Sequence, residues 1–124
     1  MAWRQLAAAA GDDGIMLLPI SGFRSIARQA EIVRRKLAKG QSLIEVLRIN
    51  AAPGFSEHHT GRAVDIGTLE HSELDETFDA TAAFAWLKAN GCEFGFTMSY
   101  PRNNSCGIAY EPWHWCWQER RSPP

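Results

Sequence analysis

Ser56-Glu57-His58-His59-Thr60-Gly61-Arg62-Ala63-Val64-Asp65 organises this 124-residue chain, together with Glu111-Pro112-Trp113-His114 near its end. Between them they carry an imidazole, a carboxylate, a second imidazole and a spare carboxylate. That is the inventory of a catalytic zinc site: three protein ligands, an open position for water and a general base. For His58 and Asp65 to share an ion, the chain must fold back between them. Seven residues of helix would put them roughly 10 Å apart in rise, whereas two atoms each about 2 Å from one zinc lie far closer. Thr60-Gly61 is where the reversal is expected, because glycine accepts positive φ at little cost. Beyond it, Ala63-Val64-Asp65-Ile66 reads as a strand that buries Val64 and Ile66 and turns Ala63 and Asp65 to the site.

Glu111 and His114 need a different geometry, since residues three apart in a regular strand point to opposite faces. Pro112 fixes φ and removes a donor, so a kink there can aim both side chains into one cleft. From Trp113 onward, alternation places Trp113, Trp115 and Trp117 on one face and His114 and Cys116 on the other.

These residues resemble a family. The run Pro53 to Asp65 is similar to the SEHxxGxAxD signature of VanY-type zinc carboxypeptidases, the D-alanyl-D-alanine carboxypeptidases and related L,D-carboxypeptidases of bacterial cell walls. Three further stretches resemble the same family: Ser21-Gly22-Phe23-Arg24-Ser25 with Gln29, Gly95-Phe96 leading to Tyr100-Pro101, and Gly107 through Trp115. The four motifs keep the family's order. The resemblance implies His58, Asp65 and His114 as zinc ligands and Glu111 as catalytic base. It implies that Arg24 meets the substrate carboxylate or the tetrahedral oxyanion, with Ser56 and Gln29 helping to hold the peptide. Tyr100 and Trp113 are expected in the cleft wall, against substrate. One departure is Met98-Ser99 before Tyr100-Pro101, where the family often has an arginine. Neighbours in an extended segment face opposite ways, so only one of His58 and His59 can easily face the metal; the resemblance selects His58. His71, among Glu70, Glu73, Asp75 and Glu76, is expected in a solvated loop.

The expected fold is α+β, a small, mainly antiparallel sheet with packed helices of the hedgehog/D,D-peptidase-like zinc kind. Residues 1–117 are expected to form one domain and 118–124 a flexible tail. The implied reaction is zinc-dependent hydrolysis of the last bond of a peptidoglycan stem peptide. It would release a terminal D-amino acid (D-alanine), with D,D- favoured over L,D-cleavage. Three rivals compete with it. A cell-wall endopeptidase of the same superfamily would have no use for a clamp on a terminal carboxylate. A non-catalytic zinc-containing cell-wall module would need no Glu111. A metal-free interaction domain would need none of the four motifs.

Composition is consistent with this. With 45% hydrophobic residues and five tryptophans there is enough to build a core. A net charge of −1 gives no electrostatic case for nucleic acid or an anionic membrane, and no apolar run is long enough to span a bilayer. A monomer is expected. The implied substrate places the protein in the cell envelope or periplasm. Met1-Ala2-Trp3-Arg4-Gln5 has no signal-peptide character, so with an extracytoplasmic substrate the chain is expected to be a mature form or a trimmed piece. Cys92 with Cys106 is one disulfide pairing open to an oxidising compartment; three buried thiols is the alternative.

Element signals fill in the rest. Trp3 to Ala10 reads as a helix and Ile15 to Ile20 as a buried strand. A helix capped by Ser25 runs to about Lys39, burying Ile26, Ala30, Val33 and Leu37 and leaving Arg28, Glu31, Arg35 and Lys39 solvated. A short helix spans Ser42 to Ile49, carrying Leu43, Val46 and Leu47. Another is expected from about Thr77 to Asn90, with Phe78, Ala82, Ala85 and Trp86 inward. Phe94 to Met98 and Gly107 to Tyr110 are expected to pair as antiparallel strands.

Overall fold

The computed structural model describes residues 2–104 and 108–118. Among these, strands β1 (Leu18–Ser21), β2 (Ala63–Gly67), β3 (Phe96–Met98) and β4 (His114–Trp117) form one sheet in the order β1-β2-β4-β3. Each neighbouring pair is antiparallel. Helices α1 (Ala2–Asp12), α2 (Ile26–Ala38), α3 (Leu43–Ile49) and α4 (Ala82–Asn90) surround it. The expected α+β class is the class observed.

Alternation gives the sheet two faces with different tasks. On one, Val64, Ile66 and Trp115 join Leu6 and Ala10 of α1, Phe78, and Ala83, Phe84, Trp86 and Leu87 of α4 in the hydrophobic core. Trp117 packs against that cluster, as the alternation predicts, while Trp113, in the turn before β4, touches it and also reaches the opposite face. Fully buried side chains such as Leu6, Ile66 and Phe78 each contribute about 1.5–3 kcal/mol relative to exposure. Asp65 and His114 project from the other face. They are opposed residues of β2 and β4, and Ser21 of β1 opposes Asp65 on its other side. Opposed side chains in an antiparallel pair stand about 5 Å apart at Cβ, so the sheet register alone brings Asp65 and His114 together.

Several local expectations are corrected. β1 begins at Leu18, not Ile15, because the Ile15 amide donates to Ala10 O at 2.8 Å and closes α1 instead. It is an edge strand with an irregularity between Pro19 and Ser21, and it leaves Ile20 exposed. The helix expected from Thr77 is two pieces. Asp75 caps a 3-10 turn over Glu76–Ala80 and Thr81 caps α4, each side chain accepting from a backbone amide. That shifts the inner face to Ala83, Phe84, Trp86 and Leu87 and leaves Ala82 and Ala85 exposed. On α2 the buried positions are Gln29 and Val33, while Ile26 is 57% and Leu37 38% exposed. On α3 Val46 is buried but Leu43 is exposed.

Ile108 to Tyr110 is not a strand; Ala109 N donates to Arg48 O at 2.8 Å and Glu111 N to Tyr100 O at 3.0 Å. β3 therefore pairs with β4, Phe96 opposite Trp117 and Met98 opposite Trp115. Gly107 and Cys106 lie outside the described residues, as does the tail from Glu119 on. Cys92 and Cys116 are free thiols, and Cys92 is exposed, which corrects the reading of three buried thiols. His71 is half-buried rather than solvated, 3.3 Å from Asp75. No helix among the described residues is long and apolar enough to cross a membrane.

Candidate active site

A cleft of about 220 Å³ opens on the second sheet face, lined by the nine residues given a metal, catalytic or substrate role from the sequence: Arg24, Gln29, Ser56, His58, Asp65, Tyr100, Glu111, Trp113 and His114. Ala63, expected to face the site, is not among its lining residues. Each side chain arrives by a local device. Ser56 caps the 3-10 turn Glu57–Thr60 by accepting from His58 N, and Gly61 ends the turn in the left-handed region at φ 72°. That is the reversal the His58–Asp65 spacing demanded. A turn at Pro112–Trp113, in which His114 N donates to Glu111 O at 3.2 Å, brings Glu111 and His114 into the same cleft.

The nitrogens of the two histidines are oriented by their partners. His58 Nδ1 lies 2.7 Å from Gly22 O, a pure acceptor, so Nδ1 carries the proton and Nε2 a lone pair. His114 Nε2 lies 2.9 Å from a Glu57 carboxylate oxygen, which leaves the lone pair on Nδ1. Those two lone pairs face one Asp65 oxygen at 3.2 Å and 3.1 Å. Three such acceptors need a cation between them: without a metal, a proton on His114 Nδ1 shared with Asp65 fills that place, and a divalent ion would displace it. The three ligand atoms lie within 4.8 Å of one another. Ligand atoms around a tetrahedral zinc stand about 3.4 Å apart. The donor set, two imidazoles and a carboxylate, also suits zinc. His58, Asp65 and His114 therefore fit a divalent ion, and no fourth His, Cys, Asp or Glu among the described residues completes the group.

The field around this point is negative. Burial lowers the His114 pKa, yet Asp65, Glu57 and Glu111 outweigh it and push the imidazole up to about 9. Burial raises the Asp65 carboxyl, but the imidazoles of His114 and His58 hold it below its ordinary value. Glu111 sits 3.8 Å from His114 Nδ1, next to the ligands. Burial first, then Asp65 and Glu57, push its carboxyl up to about 7, against the opposing pull of His114 and Arg24. A carboxylate that titrates near neutrality is suited to general-base work.

Arg24 is held rigidly. Its Nη1 donates to Gln29 Oε1 at 2.9 Å and Nη2 to Ser21 Oγ at 3.1 Å, leaving Nη2 4.0 Å from Asp65 Oδ2. Gln29 is 1% exposed, and its Nε2 donates to Ala51 O at 2.6 Å. The amide of Gln29 thus ties Arg24 to the backbone just after α3 rather than projecting into open cleft. Tyr100 lays its ring 4.8 Å from that of His114. His59 turns away, though on a 3-10 turn rather than the extended segment expected: Nδ1 meets Arg24 O at 2.7 Å and Nε2 accepts from Gly54 N at 3.1 Å, so it ties two loops together.

Sequence reasoning missed Glu57. Besides orienting His114, its carboxylate accepts from Ser99 Oγ at 2.5 Å. His114 chiefly, with Ser99, holds its pKa below the ordinary value against burial. Ser99 is the departure noted before Tyr100-Pro101, so that position here supports a ligand from behind. Carboxylates are common outer partners of ligating histidines, but Glu57 adjoins His58 and serves His114, so its neighbours in sequence did not reveal the role. Glu57→Gln should weaken zinc binding about 10- to 100-fold, measured by competition with a chromophoric chelator; unchanged affinity would remove Glu57 from that role.

Residues 1–120 match the VanY family, described as D-alanyl-D-alanine carboxypeptidase. Putative carboxypeptidase YodJ of Bacillus subtilis is 38% identical over 110 residues, covering 86% of this chain and 40% of that protein. Among solved structures, the LdcB LD-carboxypeptidase superposes with a TM-score of 0.84 at 34% identity, covering 94% of this chain and 55% of that one. VanYB in complex with D-alanine-D-alanine gives a TM-score of 0.75 at 32% identity, over 94% and 67% of the two chains. A VanY D,D-pentapeptidase mutant in complex with Zn(II) gives 0.72 at 30% identity, over 94% and 68%. This chain spans less than half of the Bacillus relative and about half of LdcB.

Proposed function

Because this chain belongs to the VanY family of D-alanyl-D-alanine carboxypeptidases, we propose that it is a zinc-dependent carboxypeptidase. It removes the C-terminal D-alanine from peptidoglycan stem peptides, with D,D-cleavage preferred, in the cell envelope or periplasm. The observation that carries the reading is the convergence of three buried acceptors on one point with Glu111 beside them. Zinc, when bound by His58, Asp65 and His114, supplies Lewis acidity: it polarises a carbonyl and acidifies water toward neutrality.

The chain's own residues do the rest. Glu111 takes a proton from the attacking water and later passes it to the leaving amine. Arg24, fixed by Gln29 and Ser21 at the edge of Asp65, holds the negative charge that develops on the carbonyl oxygen. Ser56 and the rings of Tyr100 and Trp113 wall the peptide. The LdcB likeness favours a second reading, cleavage of a bond that follows an L-centre.

Mass spectrometry of muropeptides of defined stem length tests both. The expected result is loss of one terminal alanine from stems ending in D-Ala-D-Ala, abolished by a chelator and restored by zinc. Loss only from stems whose last bond follows an L-centre would select the second reading. Internal cleavage would overturn both.

A further inference from the structure

Lys36 is a cation of the same cleft to which the mechanism above assigns nothing. It stands on α2 seven residues beyond Gln29, two turns along one stripe of the helix. Helical side chains lean toward the helix N-terminus, so its long stem runs back toward Gln29 and Arg24. It lines the cleft together with Arg24, Glu111 and His114. Nζ donates to Asn50 Oδ1 at 3.1 Å, and Asn50 Nδ2 donates to Val46 O at 3.0 Å, so the end of α3 fixes the ammonium. An ammonium carries three donors; Asn50 takes one.

The two cations have distinct surroundings. Arg24 is committed to Gln29 and Ser21 and lies beside Asp65, which suits charge developing at the scissile carbonyl. Lys36 lines the same cleft and is tied instead to Asn50 at the end of α3. Burial, then the field of Arg24, lowers its pKa, while Glu111 raises it, so Lys36 senses both groups across the cleft. The terminal carboxylate of a carboxypeptidase substrate lies one residue past the scissile bond, about 3.8 Å from Cα to Cα. It therefore needs a positive partner next to the oxyanion group but separate from it. Of the charged cleft residues, Asp65 and Glu111 have the wrong sign and Arg24 is committed elsewhere.

We propose that Lys36 is the specificity-determining residue that binds the substrate's terminal carboxylate and so selects free chain ends over internal bonds. This rests on the carboxypeptidase reading of the same cleft.

The test uses the zinc-loaded protein and two stem peptides ending in D-Ala-D-Ala, one with a free carboxylate and one C-terminally amidated. The wild type should prefer the acid. Lys36→Met should lower kcat/KM for the acid by about 10- to 100-fold, the scale of a hydrogen bond to a charged group. The loss should fall mainly on KM, with the amide little changed. Lys36→Arg should retain most of the preference. Equal loss on acid and amide would make Lys36 a structural tie between α2 and α3, and no loss on either would remove it from substrate binding; both overturn the proposal while leaving the carboxypeptidase reading intact. A wild type inactive on both peptides overturns that reading and this inference with it.

Discussion

Glu111→Ala is expected to keep zinc at one ion per chain while losing about 10²- to 10⁴-fold in kcat, the range for a positioned general base. Retention follows from the geometry. Glu111 stands 3.8 Å from His114 but is not one of the three converging residues, and His58 and His114 are oriented by Gly22 and Glu57 rather than by Glu111. Its removal takes a proton acceptor and leaves the ligands in place.

The pH profile gives a second readout. A base must be ionised to act, so activity should fall as pH drops through the Glu111 pKa. Burial, Asp65 and Glu57 raise that value to about 7 in the field of the protein alone. A bound divalent cation favours the carboxylate and lowers it. The acid limb of kcat/KM should then lie between the ordinary 4.5 and about 7, and the residual activity of the variant should lack it. Near-normal turnover in Glu111→Ala would remove Glu111 from its role.

His114→Ala should lose the metal. His114 is 2% exposed and stands opposite Asp65 on paired strands, with Nδ1 3.1 Å from the Asp65 oxygen. Truncation leaves two ligands where a catalytic zinc takes three from protein. It also strips Glu57 of its partner at 2.9 Å. The loss in affinity should exceed the about 10- to 100-fold typical of outer partners. Elemental analysis after dialysis against a weak chelator checks it, and full zinc occupancy would mean that the ligand set is wrong. Because Asp65 and Glu57 are then left in a field without their imidazole, the metal-free variant should also melt at a lower temperature than the metal-free parent.

What could be read beforehand divides by range of interaction. The reversal at Gly61 was legible because a shared metal constrains the His58–Asp65 spacing so tightly that a turn had to lie between them, while the choice of His58 over His59 came from the family resemblance. The Glu111–His114 kink was legible through Pro112. Capping competition was harder to read. Asp75 and Thr81 each seize a backbone amide, and a stretch that looks like one helix from Thr77 becomes a 3-10 turn plus α4. Long-range pairing was harder still. The Ile108–Tyr110 segment has strand-like residues, but Arg48 and Tyr100 take up backbone bonds there, and β4 claims β3 as its partner. Glu57 and Lys36 escaped for a common reason. Their meaning comes from a partner more than a dozen residues away, His114 and Asn50, that no local periodicity announces.

Zinc-edge anomalous diffraction from crystals of the zinc-loaded protein bears most directly on the central claim. The account predicts one peak about 2.0–2.2 Å from His58 Nε2, a carboxylate oxygen of Asp65 and His114 Nδ1, with the fourth position open to the cleft. A peak elsewhere, or a fourth protein ligand closing that position, would contradict it.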